Sequence, residues 1–135
     1  MAALSHNLAA AVASRLATII PSPFSVIAEG EEVKLYSERS GSRLLGVSPA
    51  AAILEDSDDR SLLEKMEVAA LAIVSAIQDC VAEEMREPWP VQRDGAMALP
   101  QARSEGMSVI IWFGSEEAPD IALAPIKLSE AVNAD

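Results

Sequence analysis

The sequence predicts an α+β fold: two layers, with a mainly antiparallel sheet in α-β-β-β-α-β-β order and a long helix packed on one face. Three observations carry this reading. Residues 60–86 repeat apolar side chains at spacings of three and four, the mark of a long amphipathic helix. Residues 24–47 alternate apolar and polar side chains between glycine-bearing turns, as hairpin strands do. Met107 to Phe113 alternates Val109, Ile111 and Phe113 against Ser108, Ile110 and Trp112, a strand with apolar residues on both faces. Strands grouped in hairpins with few helices favour a sheet covered on one side.

Taken in order, Leu4, Leu8, Val12, Leu16, Ile19 and Ile20 form one helical stripe, and Pro21 and Pro23 stop it. Phe24–Ala28 reads as a strand. Glu29-Gly30-Glu31 turns the chain, since Gly30 accepts positive φ. Val33 and Leu35 then alternate with Glu32, Lys34 and Tyr36 in a strand that pairs back. After the turn Ser40-Gly41-Ser42, Arg43–Val47 is a third strand, ended by Pro49, and Ala50–Leu54 a short helical turn. Glu55–Arg60 is acidic and polar.

Ser61 and Glu64 have the spacing of a capping box at the start of the long helix. Its core face runs from Leu62 to Met85. Its middle is apolar on the far side as well, at Val68, Leu71, Ala72 and Ala76. A helix of this kind is buried on more than one face. The cover would be the sheet plus either the N-terminal helix or a second subunit, and a C2 homodimer is the expected form. Pro88 and Pro90 end the helix. Residues 86–106 read as a long Pro-containing loop without periodicity. Ile121–Leu128 is a last strand in which Pro125 cannot donate to a ladder, and 129–135 is a frayed tail. The whole chain, 1–135, reads as one domain.

Composition narrows the functions. The net charge of −11 repels phosphate backbones and anionic lipid, so neither nucleic acid nor a membrane surface is an expected partner. No apolar run reaches the roughly 18 residues of a spanning helix, and no signal peptide is evident at the start, so the expected location is cytoplasmic. The single Cys80 allows no internal disulfide. It lies in the long helix near Glu83 and Glu84, which would raise its thiol pKa, so it reads as a packing residue.

No catalytic set emerges. The only histidine, His6, sits in the first helix, and there is no Gly-x-Ser-x-Gly elbow. One histidine and one cysteine do not make an ordinary zinc site. Glu55, Asp56, Asp58 and Asp59 fail the EF-hand spacing, and Gly41 to Gly46 lacks the Walker lysine. No metal or cofactor is therefore expected. The positive candidates are partner-binding: Trp89 held between Pro88 and Pro90, Trp112 on its strand, and Val68 and Leu71 on the far side of the long helix. Trp89 either folds back as a plug or projects as an anchor, and Trp112 is either core or sheet-face interface. Within loop 86–106, residues 88–106 are charge-balanced, with Asp94 and Glu105 against Arg93 and Arg103, so they repel an acidic partner least.

The element order, small size and acidity are similar to the type III secretion chaperones, a resemblance of fold alone. The expectation is a small, acidic, non-enzymatic protein-binding or adaptor protein. The alternative is a small enzyme using paired carboxylates in a cleft beside loop 86–106.

Overall fold

The computed structural model describes residues 2–39, 41–50 and 61–132, with side chains from Leu4 onward. The expected helical turn at Ala50–Leu54 and the acidic run Glu55–Arg60 therefore fall almost wholly outside the described residues. Helix α1 (Ala2–Ala17) is followed by strands β1 (Phe24–Glu29), β2 (Glu32–Ser37) and β3 (Arg43–Pro49). Helix α2 (Leu62–Met85) leads to β4 (Pro100–Glu105), β5 (Ser108–Gly114), β6 (Pro119–Ala122) and β7 (Ile126–Lys127), and α3 (Leu128–Val132) closes the chain. The fold is α+β with antiparallel pairing throughout. The strands form two sheets, one of three strands in the order β1-β2-β3 and one of four in which β4 and β6 flank β5 and β7 also pairs with β5.

Helix α2 is built as its sequence implies. Ser61 Oγ accepts from the Glu64 backbone N–H and the Glu64 carboxylate accepts from the Ser61 N–H, a complete capping box. Met66, Ala69, Ala70, Ile73, Val74, Ile77 and Val81 are buried along its length. They meet both sheets and α1, whereas on the far side Val68 and Ala72 are exposed and Leu71 and Ala76 half-buried. Gln78 is also buried, and its Nε2 donates to the Ala98 carbonyl at 2.6 Å, tying the helix to the segment entering β4. The helix ends at Arg86, which has φ 58 in the left-handed region and donates its N–H to Ala82.

The sequence reading needs two corrections after α2. Loop 86–106 is not structureless: it contains β4 and an antiparallel bridge between Val91 and Met97. Strand β4 escaped notice because Gln101, Arg103 and Glu105 form an exposed outer face while its inner face offers only Pro100, Ala102 and Ser104. An edge strand with one polar face and small inner residues carries no apolar alternation. The signal was the turn. Gly106, at φ 61, opens a two-residue loop between Glu105 and Ser108, as Gly30 does between Glu29 and Glu32.

The second correction concerns the C-terminal stretch. Ile121–Leu128 is two short strands interrupted around Pro125, and the supposed tail begins with α3. Ala131 is buried, and its carbonyl accepts from Asn7 Nδ2 at 2.9 Å. Arg15 reaches from α1 to the Pro125 carbonyl and to Glu130 Oε1, each at 2.7 Å. The placement of α3 is thus a product of α1, a contact that local pattern does not report.

Two predictions follow from this packing. A Cβ built on Gly46 of β3 would lie 2.6 Å from Cys80 Sγ on α2, too close without movement. Gly46→Ala should therefore destabilise the chain by about 1–3 kcal/mol, as overpacking does. Cys80→Ala in the same chain should recover at least about 0.5 kcal/mol in denaturant titrations. Purely additive effects would refute the contact. The second concerns Glu130. The hydrogen bond from Arg15 holds its carboxyl below the ordinary 4.5, helped by the Lys127 backbone N–H and opposed by burial. A lowered folded-state pKa gives stability that is present above the unfolded value and lost as pH falls. Protection of α3 amides, corrected for intrinsic exchange, should decline between about pH 5 and 3. Glu130→Gln should remove that decline, and an unchanged decline would show that another group controls it.

Candidate interaction surface

The alternation of the first sheet decides what its outer face presents. Val26, Val33 and Leu35 point inward and are buried. Ile27 therefore points outward. It stands opposite Lys34, which in turn stands opposite Val47, while Ser25, Tyr36 and Leu44 form the next cross-strand row. The register breaks between Leu35 and Tyr36, where Leu45 has no partner on β2. This bulge lets Leu45 turn to the core while Leu44 faces out, the re-aiming such insertions achieve. Ile27, Leu44 and Val47 are 44%, 47% and 42% exposed, high for large aliphatic side chains sharing one sheet face.

Charge frames this apolar centre. At the hairpin end, Lys34 Nζ lies 3.0 Å from Glu29 Oε1 and 3.9 Å from Glu32 Oε1. Hydrogen bonding to Lys34 and its positive charge, with a further bond from Tyr36, hold the Glu29 carboxyl below its ordinary value. The hydrogen bond to Glu29 raises the Lys34 pKa in return. Lys34, the cation of these cross-strand rows, is thus already engaged. At the other end, Glu38 Oε2 accepts from Ser25 Oγ at 2.9 Å and from Ser42 Oγ at 3.3 Å. The frame carries net negative charge: Glu29, Glu32 and Glu38 against Lys34.

The candidates read from the sequence occupy three separate places. Val68 is exposed at 36% and Leu71 is half-buried, both on α2. Trp89, beyond the end of that helix, packs against the core with its ring centroid 6.1 Å from that of Phe113. Pro88 beside it is exposed and Pro90 is buried. Trp112 alternates with the core-facing Ile111 and Phe113 and is only 8% exposed. The Arg103 guanidinium lies 5.8 Å from its ring centroid and is itself bound by Glu105 and Glu116. That cover leaves little of the Trp112 ring to a partner. Sequence reasoning missed Ile27, Leu44 and Val47. The available signal was that each falls out of phase with the inward set, although the bulge disguised Leu44.

The remaining chemistry is sparse. Among the described residues, no group of three or more His, Cys, Asp or Glu side chains is placed to hold a metal ion. Burial, with Glu83, Asp79 and Glu84 nearby, pushes the Cys80 thiol upward. A shallow groove beside residues 91–97 is lined by Arg93, Asp94 and Asp120, but Asp94 Oδ1 already accepts from the Ala96 N–H at 3.0 Å. No helix among the described residues is long and apolar enough to cross a membrane. Searches of protein-family models, curated proteins and solved structures gave no match.

The Trp89 geometry yields a direct test. A half-buried ring seated on Phe113 should cost less to remove than the roughly 3–5 kcal/mol of a fully buried one, but far more than a surface site. Trp89→Ala should therefore lower unfolding stability by about 2–3 kcal/mol in urea titration. A loss under about 0.5 kcal/mol would show that the ring does not support the core.

Proposed function

We propose that this chain is a small acidic binding or adaptor protein that engages another protein through the outer face of its first sheet. The observation that carries the reading is the cluster of Ile27, Leu44 and Val47, all substantially exposed on one face. Exposed aliphatic residues scattered singly need no explanation, but several sharing a face do. The type III secretion chaperones, which the element order expected from the sequence resembles, suggest an adaptor role of the same general kind.

An expected homodimer rested on the apolar far side of α2, where Val68 and Ala72 are exposed and Leu71 and Ala76 half-buried. A carboxylate enzyme would have to draw on Asp94 and Asp120 in an open groove, and the sheet face has the stronger claim.

The test is reconstitution. A protein captured by the immobilised chain should form a stoichiometric complex when both are purified. Replacing Ile27, Leu44 and Val47 together by serine should weaken that complex at least about tenfold, since each loses buried apolar surface. Failure of any captured protein to bind after purification would remove the adaptor reading. Equal binding by the triple variant would move the site elsewhere.

A further inference from the structure

We propose that the occupant of this face is a cationic amphipathic helix supplied by another protein. The inference rests on the adaptor reading above and names the partner's chemistry. Shape comes first. Ile27 and Val47 flank Lys34 from the two outer strands, so they lie about 10 Å apart at ordinary strand spacing. That width matches an α-helix with its side chains, about 10–12 Å. The inner face of this sheet is already covered by helices of the chain. A helix laid on the outer face would complete a three-layer arrangement and cover Ile27, Leu44 and Val47.

Charge selects the kind of helix. Along the strands, Glu29 and Glu32 mark one end of the apolar centre and Glu38 the other. Ser25 to Glu29 spans about 13 Å, or two to three helical turns. A helix with apolar residues at i, i+3, i+4 and i+7, and lysine or arginine beyond each end of that stripe, matches both features. Lys34 pairs with Glu29 and Glu32, which leaves that end of the face one negative charge in excess. A second copy fits less well. Face-to-face pairing about a twofold axis brings two sets of these carboxylates together, on chains that each carry −11. An anionic lipid surface is repelled on the same ground.

The probe is a pair of synthetic peptides of about 14 residues, one Leu/Lys and one Leu/Glu, with the same apolar stripe. Tyr36 is the only tyrosine in the chain and lies on this face, so its ring NMR signals report occupancy. The Leu/Lys peptide should shift those signals saturably and gain helicity, and the Leu/Glu peptide should not. Val47→Asp should weaken binding roughly tenfold or more, as central interface disruptions do. Because Val47 is exposed, an unchanged far-UV spectrum will show that this variant folds. Glu29→Gln with Glu32→Gln should weaken it less and flatten its salt dependence. The proposal is overturned if both peptides bind alike, or if Val47→Asp leaves binding unchanged. It also falls if Tyr36 shifts with protein concentration alone, which would identify a second copy. If the native complex is lost in the triple-serine variant while the Leu/Lys peptide does not bind, the adaptor reading stands and the helical partner falls.

Discussion

The structure depends on the burial of one helix from several directions. Helix α2 contacts β2 and β3 of the first sheet, β4 and β5 of the second, and α1. Nothing else described in the chain joins the two sheets so broadly. The core is accordingly aliphatic: of the largest fully buried side chains, only Phe113 is aromatic. Leucine, isoleucine, valine and alanine fill the space between this helix, the two sheets and α1. Among those largest side chains Gln78 is the polar exception, and its amide is used to fix the crossing segment at Ala98.

This arrangement explains which parts were legible in the sequence. Elements that touch α2 through large apolar residues declared themselves: β2 through Val33 and Leu35, β5 through Val109, Ile111 and Phe113. The capping box was readable because it is a local hydrogen-bond exchange within four residues. Strand β4 and helix α3 were not, because neither carries a legible apolar pattern of its own. Strand β4 pairs with β5 and contributes mainly backbone, while α3 is secured by Asn7 and Arg15 more than a hundred residues away in sequence. The division into two sheets was equally hidden. A helix apolar around most of its surface is compatible with one sheet and a second subunit, or with two sheets, and periodicity does not distinguish them.

The candidate surface was the least legible part, for a related reason. Exposed tryptophans attract attention in a sequence poor in aromatics, yet Trp89 and Trp112 both find cover within the fold, on Phe113 and under Arg103. The exposed residues are ordinary aliphatics. In a strand they differ from core residues only by phase, and phase is known only once the register is known.

The bulge in β3 shows how narrowly that phase is set. With strict alternation, Leu45 would share the outer face with Val47, and Leu44 would point inward. The extra residue reverses both. Leu45 joins the core, and Leu44 moves out across from Tyr36. On the inner face Gly46 sits against Cys80, where a larger side chain would collide, and Leu45 adds apolar bulk to the core. The insertion that turns Leu45 to the core thus also places Leu44 on the solvent side. Exposure of the outer cluster follows from how the core is built. It is the outward consequence of packing one helix tightly against a sheet edge, and a partner would meet a surface whose shape is set from within.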